Sequence, residues 1–266
     1  MPRISIGDCK IYYERHGAGF PIVFVSGLSG YASYWRDQVP ALSRNYEVIV
    51  FDQRGVGQSD QRGGPVLIER LAHDVVGLMD ALGIERAHVV GHSAGGAAAQ
   101  ILAIEQPQRL ASISVAACWT KPDAYFRRMF GLRKELLARL GPAAYVQANT
   151  LFLYPSAYIA ANNELLRQVE AQWLANFPAP ETMASRIDAI LAFDRTAELG
   201  RIRTPALILA AQDDLITPAY FSEELARRIP GAEAKFFPHG GHDFIRVVPR
   251  EFNQAVLPFL QAHGPA

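Results

Sequence analysis

A short serine motif flanked by glycines is the clearest sign of chemistry in the sequence. The pentapeptide Gly91-His92-Ser93-Ala94-Gly95 has the pattern G-x-S-x-G, and it lies between a predicted strand and a predicted helix. In that setting the chain turns sharply and exposes the serine hydroxyl, and glycines let the crowded backbone pass close to its neighbours. We therefore predict that Ser93 is a nucleophile. The alternative is an ordinary glycine-rich turn between a strand and a helix.

Two backbone amides are candidates for stabilising negative charge beside this serine. Ser93 would stand at a helix N-terminus, where the N–H of Ala94 and the helix dipole favour an anion. A second glycine-rich loop, Ser26-Gly27-Leu28-Ser29-Gly30, follows an earlier predicted strand, and its glycines allow the Leu28 N–H to face the same point. We predict an oxyanion hole formed by Leu28 and Ala94, although such a loop taken alone is more often a simple turn.

One of the seven histidines is placed to act as a general base. His242 follows two glycines in a loop after the last predicted strand, at the carboxyl edge of the sheet where functional groups collect. A neutral imidazole can take the serine proton at neutral pH if a partner fixes its other ring nitrogen. We predict that His242 is the base, with His239 in the same loop as the rival.

The acid that orients this histidine should also lie at the carboxyl edge. Asp213 and Asp214 directly follow a predicted strand that ends at Ala211. We predict that Asp214 is the partner of His242, because it stands four residues before Pro218. Asp213 is then expected to hydrogen-bond within its turn, which is the common role of an aspartate in a loop.

Alternating strands and helices are predicted to carry these residues. Strands are predicted at 4–6, 10–14, 21–25, 46–51, 87–90, 110–117, 206–211 and 234–237, and helices at 68–82, 97–105, 219–229 and 252–263. This order predicts an α/β fold with a mostly parallel sheet covered by helices on both faces. Residues 1–118 and 194–266 would form that core.

Residues 119–193 interrupt the alternation. They contain no convincing strand, only helical patterns near 125–140, 157–173 and 180–191. We predict an inserted helical unit between two strands of the core.

Composition excludes several classes of partner. The chain has 266 residues, half of them hydrophobic, and its 26 basic residues balance 26 acidic ones. A neutral chain has no overall field to attract nucleic acid or an anionic membrane. Two cysteines without CxxC spacing and the lack of a long apolar run predict a cytoplasmic protein. We expect a small-molecule substrate, no metal and no organic cofactor, and leave a homo-oligomer open.

The motifs together resemble the α/β-hydrolase superfamily over nearly the whole chain. The resemblance is carried by Asp52-x-Arg54-Gly55-x-Gly57-x-Ser59, the serine motif, Asp214-x-x-x-Pro218 and Gly241-His242, and by the chain order Ser93, Asp214, His242. Within that superfamily the chain is similar to 3-oxoadipate enol-lactonases. It is more similar to the pyrimidine-utilisation hydrolases of aminoacrylate or a carbamate, on residues 26–28, 34–35, 52–55 and 151–155.

The resemblance implies that the insertion is a cap that roofs the active site and selects the substrate. Between Trp119 and Leu140 it holds six basic residues, Lys121, Arg127, Arg128, Arg133, Lys134 and Arg139, against two acidic ones, Asp123 and Glu135. One interpretation is a solvated helix face. The other is that an inward arginine binds a substrate carboxylate, and for it we name Arg127 or Arg128, with Trp119 as a further substrate contact.

The predicted function is hydrolysis of a small ester, lactone or activated amide or carbamate through an acyl-enzyme, with a short carboxylic acid as one substrate type. Carbon-carbon bond hydrolysis and perhydrolysis remain alternatives because they can use the same triad. A ligand sensor built on the same scaffold is the alternative that is not an enzyme.

Overall fold

A computed structural model describes residues 2–60 and 67–264 of the chain. It contains an eight-stranded sheet in the order β1-β2-β4-β3-β5-β6-β7-β8. The strands are β1 (Arg3–Ile6), β2 (Cys9–His16), β3 (Phe20–Val25), β4 (Tyr46–Phe51), β5 (Ala87–His92), β6 (Leu110–Ala116), β7 (Ala206–Ala211) and β8 (Glu233–Phe237). The hairpin β1-β2 and the pair β2-β4 are antiparallel, and the other neighbours are parallel.

The helices connect the parallel strands, as the alternation predicts. They are α1 (Val39–Leu42), α2 (Ile68–Ala81), α3 (Ala94–Glu105), α4 (Ala124–Leu153), α5 (Ser156–Ala161), α6 (Asn163–Ala175), α7 (Pro180–Ala192), α8 (Ala219–Arg228), α9 (Phe244–Val247) and α10 (Pro249–His263). Short 3-10 helices cover Ala32–Trp35, Pro107–Arg109 and Thr196–Arg201. The predicted fold class is confirmed.

Helices on both faces bury the central strands completely. Every residue of β5, β6 and β7 is buried, which is why these strands read as continuous apolar runs rather than alternating ones. Successive side chains of β3 enter opposite cores: Val23 and Val25 pack in the core that contains α2 and α3, and Ile22 and Phe24 pack in the core that contains α10.

The insertion lies between β6 and β7, at the carboxyl end of the sheet. Its helices are α4 to α7, and no residue from 119 to 193 is in a strand. Inside α4 the helix is interrupted at Gly141, whose φ of 79° lies in the left-handed region that glycine tolerates best. The proline that follows, Pro142, cannot donate a backbone hydrogen bond to the preceding turn. The break lets the second half of α4 take a new direction.

Two absences, of a membrane span and of a metal cluster, hold for the residues that the structure describes. Among them, no helix has the length and apolar character needed to cross a membrane. In the same residues, no group of three or more His, Cys, Asp or Glu side chains is placed to hold a metal ion. Parts of the predicted core, namely residues 1, 61–66 and 265–266, lie outside the described chain.

Candidate active site

Ser93 occupies a strained turn between β5 and α3. Its φ of 53° and ψ of −117° belong to a region that residues other than glycine rarely adopt, and such strain concentrates at functional sites. The side chain is only 3% exposed and lines an internal cavity. The turn therefore presents the hydroxyl to a pocket rather than to the open protein surface.

The two glycines of the motif are required by close backbone packing. A Cβ at Gly91 would collide with the carbonyl of Gly95, and a Cβ at Gly95 would collide with the carbonyl of Val25 at the end of β3. Any side chain at either position would push the turn away from the sheet. Both glycines of G-x-S-x-G are thus needed for this turn to pack against the sheet.

His242 and Asp214 come from two loops at the carboxyl end of the sheet. Asp214 follows β7 and His242 follows β8, and Nδ1 of His242 lies 2.8 Å from Oδ2 of Asp214. A carboxylate only accepts hydrogen bonds, so Nδ1 carries a proton, and in the neutral ring the lone pair is on Nε2. His242 lines the same cavity as Ser93. The imidazole is therefore in the tautomer that a general base needs.

Hydrogen bonds keep the buried Asp214 ionised. Its Oδ1 accepts from the N–H groups of Ile216 at 2.7 Å and Thr217 at 2.9 Å, and its Oδ2 accepts from Thr217 Oγ1 at 2.7 Å. Burial by itself would raise the pKa of Asp214, but His242 and Thr217 together hold that pKa below its ordinary value. An ionised carboxylate at this place stabilises a positively charged imidazole.

Asp213 hydrogen-bonds the histidine loop rather than its own turn, where the sequence predicts its partners. Its carboxylate accepts from the N–H of Gly241 at 2.8 Å and from the N–H of Gly240 at 3.3 Å. Both glycines directly precede His242 and have positive φ. Asp213 thus holds the backbone of the histidine loop, whereas Asp214 holds the ring.

His92 supports the same loop from the other side. Its Nε2 donates to the carbonyl of His242 at 2.9 Å, and its ring stacks on Tyr34 with centroids 5.0 Å apart. Burial lowers the pKa of His92 to about 4, so the ring is neutral at neutral pH. The main chain of His242 is consequently held at a position set by β5.

The loop 26–30 is braced by an arginine from the insertion. Arg186 on α7 donates from Nε to the carbonyl of Leu28 at 2.8 Å and from Nη2 to the carbonyl of Gly27 at 3.4 Å. It also donates to Gln53, whose amide nitrogen donates to the carbonyl of Ser26 at 2.6 Å. Burial lowers the pKa of Arg186 to about 10, so it stays protonated at neutral pH.

This brace fixes the direction of one candidate amide. The C=O and N–H of a trans peptide point in opposite directions, and the described chain has no cis peptide bond. Since the Gly27 carbonyl faces Arg186, the Leu28 N–H of the same peptide faces away from Arg186. Leu28 lines the cavity together with Ser93.

The cavity is small and enclosed mainly by apolar side chains. Its wall consists of Gly27, Leu28, Ser29, Tyr31, Tyr34, His92, Ser93, Phe130, Arg133, Tyr145, Asn149, Leu153, Trp173, Phe177, Pro178, Met183, Ile216, His242 and Asp243. Its volume is about 50 Å³, counted as the space that the centre of a water molecule can occupy. By that measure one water needs about 10–15 Å³, so the space suits a ligand of few non-hydrogen atoms.

Comparison with known proteins matches this arrangement to a family. The family described as "alpha/beta hydrolase fold" matches residues 21–245, which includes all three side chains at the sheet edge and the whole insertion. The chain belongs to the α/β-hydrolase family. The predicted resemblance is confirmed.

Individual α/β-hydrolases align over almost the full length. A protein of Azorhizobium caulinodans named "Putative carbamate hydrolase RutD" is 43% identical over 259 residues, which cover 97% of this chain and 98% of that protein. The enol-lactonase of Burkholderia xenovorans LB400 superimposes with a TM-score of 0.90 at 27% identity, covering 98% and 100% of the two chains. A malate-bound esterase of Thermogutta terrifontis gives a TM-score of 0.87 at 25% identity and 99% coverage of both.

Three residues predicted to contact substrate lie elsewhere in this α/β-hydrolase. Trp119 is fully buried in the core, with its ring centroid 4.9 Å from that of Phe126. Arg127 and Arg128 are exposed, and neither lines the cavity. The structure does not support substrate contacts at these positions, because the core covers Trp119 and helical periodicity turns positions 127 and 128 of α4 outward.

The inward face of α4 carries a different arginine. The buried positions 126, 130, 133 and 137 recur at helical spacing, and Arg133 is the third of them. The spacing to Phe126 and Phe130 is visible in the sequence and could have singled out Arg133. Nothing local in the sequence marks Arg186, which acts on a loop 158 residues away.

Proposed function

We propose that this α/β-hydrolase cleaves a small ester, lactone or activated amide, such as a carbamate, through an acyl-enzyme on Ser93. One observation carries the proposal: the ionised Asp214 lies 2.8 Å from Nδ1 of a histidine that shares a cavity with Ser93. The strained backbone of Ser93 supports the same role. The chemistry uses only groups of the chain and water.

The reaction proceeds in two similar halves. Ser93 Oγ attacks the substrate carbonyl while His242 Nε2 takes its proton, and the N–H groups of Leu28 and Ala94 receive the negative oxygen. The leaving group departs with the proton from His242, and the acyl group stays on Ser93. Water then attacks the acyl-enzyme in the same way and releases the acid. Asp214 keeps the imidazole oriented throughout.

The relatives support carbonyl hydrolysis. One is named for a carbamate and one for an enol-lactone, and one solved neighbour is an esterase. We also propose that residues 119–193 act as a cap on a core of residues 1–118 and 194–266, since α4, α6 and α7 supply much of the cavity wall. Buried, unpaired Cys9 and Cys118 support the expected cytoplasmic location.

Covalent labelling tests the nucleophile. A fluorophosphonate mimics the charge of the acylation transition state, so we expect it to add once per chain, on Ser93, as determined by peptide mass spectrometry. Ser29→Ala is the matched control because Ser29 lies in the wall of the same cavity, and it should still be labelled. Modification of any other residue, or labelling of Ser93→Ala, would contradict the assignment.

Turnover of a short-chain nitrophenyl ester separates an enzyme from a sensor. Many product molecules per chain are expected for an enzyme. Release of one equivalent followed by a stable covalent complex would instead favour a ligand sensor on the same scaffold.

The brace on loop 26–30 yields a further prediction. Arg186→Met removes the donors to Leu28 and Gly27 and leaves the Leu28 N–H free to reorient. Loss of one oxyanion donor costs about 10²–10³ in kcat, and a misdirected donor should cost less, so we expect kcat to fall by about 10-fold or more. KM should change little, because the ground-state carbonyl makes weaker use of this amide.

The control for this variant is Arg127→Met, on the exposed face of the same insertion. Steady-state kinetics of both variants, with circular dichroism to verify folding, give the comparison. A folded Arg186→Met enzyme with wild-type kcat would show that the brace does not set the oxyanion hole.

A further inference from the structure

Arg133 is a buried cation in the wall of the candidate catalytic cavity. It lies on the inward face of α4, is 4% exposed, and shares the cavity with Ser93 and His242. Charged side chains are almost never buried to this degree unless they are paired. The groups around Arg133 therefore decide whether its buried charge is compensated.

All the groups that hold Arg133 in place are neutral. Its Nε donates to Asn149 Oδ1 at 3.0 Å, and its Nη2 donates to the hydroxyl of Tyr145 at 3.2 Å. The guanidinium carbon lies 4.7 Å from the ring centroid of Phe130 and 5.7 Å from that of Tyr145. These contacts orient the guanidinium plane but do not neutralise its charge.

No carboxylate of residues 2–60 or 67–264 lies within 4 Å of the Arg133 guanidinium, so none of them forms an ion pair with it. Other basic residues of α4 are paired at the surface, Lys134 with Asp188 at 2.6 Å and Arg139 with Glu135 at 2.5 Å. The acid in the cavity wall, Asp243, accepts from Tyr34 at 3.1 Å and interacts electrostatically with Arg246.

A buried guanidinium without a counter-ion is costly. Arginine does not lose its proton in proteins, so it cannot escape the cost of desolvation by becoming neutral. Its Nη1 has no hydrogen-bond partner among the described residues. The planar fork matches two oxygens of a carboxylate, and such bidentate contacts are among the strongest hydrogen bonds in proteins.

We propose that Arg133 forms an anion subsite that binds a carboxylate of the substrate while the scissile carbonyl lies at Ser93. This inference rests on the proposed function, and it narrows the substrate class to short esters, lactones or amides that carry a free carboxylate. The small volume of the cavity favours a few carbons between the two groups. The aromatic rings beside the guanidinium lower the local dielectric constant, which strengthens the contact.

The test compares two esters that differ by one charge, monomethyl succinate and dimethyl succinate. The wild-type enzyme should have the higher kcat/KM for the monomethyl ester. In Arg133→Gln the ratio of kcat/KM for the acid to that for the diester should fall about 10- to 100-fold, the range for loss of one charge-assisted hydrogen bond. Most of the change should appear in KM.

Two further variants show whether the charge or its geometry matters. Arg128→Gln removes a charge from the exposed face of the same helix and should leave the ratio unchanged. Arg133→Lys keeps the charge without the fork, and it should restore only part of the preference.

A binding measurement tests the subsite independently of catalysis. Succinate should raise the Tm of the wild-type protein and of Ser93→Ala, and the increase should be lost in Arg133→Gln. If Ser93→Ala remains active while succinate still stabilises through Arg133, the proposed function fails and the subsite stands.

The subsite itself would be refuted by any of three results. The first is no preference of the wild type for the monomethyl ester together with no stabilisation by succinate. The second is an unchanged ratio of kcat/KM for the monomethyl ester to that for the diester in Arg133→Gln. The third is an equal loss of that ratio in Arg128→Gln.

Discussion

Ser93→Ala and His242→Ala are each expected to lower kcat by a factor on the order of 10⁶, and the double variant should be no worse than either single one. The serine attacks only when the imidazole takes its proton in the same step, so removing either group removes the whole step. The residual rate should still exceed the uncatalysed reaction by about 10³–10⁴, from binding and the oxyanion hole. Turnover of a short-chain nitrophenyl ester measures these effects.

His239→Ala is the matched control for the base. His239 stands three residues before His242 in the same loop but is exposed, and nothing in the geometry connects it to Ser93. Its replacement should leave kcat within about twofold of the wild type, as expected for a surface residue away from the chemistry. Losses that add up in the Ser93/His242 double variant, or a larger loss in His239→Ala than in His242→Ala, would argue against a shared step.

Asp214→Asn is expected to lower kcat by a factor on the order of 10⁴. An asparagine can present its NH₂ group to Nδ1 and so favour the tautomer whose proton is on Nε2, which cannot accept from Ser93. The variant also loses the negative charge that stabilises the imidazolium. KM should change little, because Asp214 does not line the cavity. The kinetics should be measured beside the folding transition, since Asp214 also accepts two backbone N–H groups.

The neighbouring carboxylate provides the control for this prediction. Asp213→Asn keeps one oxygen that can accept from Gly241, so the histidine loop should stay in place and kcat should fall by no more than about 10-fold. A larger loss in Asp213→Asn than in Asp214→Asn would reverse the assignment of the acid.

Much of the fold is predictable because strands and helices follow from patterns of residues that are close together in the sequence. The apolar run at 206–211 matches β7 residue for residue, and the helix predicted at 68–82 differs from α2 by one residue at its end. The start of α3 differs by three residues, since its first turn contains Gly95 and Gly96, which have low helix preference, directly after a strained serine. Strand and helix periods need only neighbours in the chain, so the sequence displays them directly.

The side chains that act together in the candidate site are predictable to a more limited extent. The glycines around Ser93 are visible because a turn needs them within a few residues. The choice of Asp214 over Asp213 follows from its spacing to Pro218, but the contacts of Asp213 with Gly240 and Gly241 do not follow from the sequence. The pairing of Asp214 with His242 spans 28 residues, yet it could be predicted because both loops leave the carboxyl end of a parallel sheet.

The insertion marks the limit of local reasoning. Six basic residues between 119 and 140 have the same charge. Helical spacing to Phe126 and Phe130 separates Arg133 from the exposed Arg127 and Arg128, but only the packing of α4 over the sheet places Arg133 in the cavity wall. Arg186 reaches Leu28 across 158 residues. The amino-acid order specifies the strands, helices and turns, because each depends on residues close in the chain. The substrate-facing wall depends on how the helices of the insertion fold back over the sheet, which is set by packing among residues far apart in sequence.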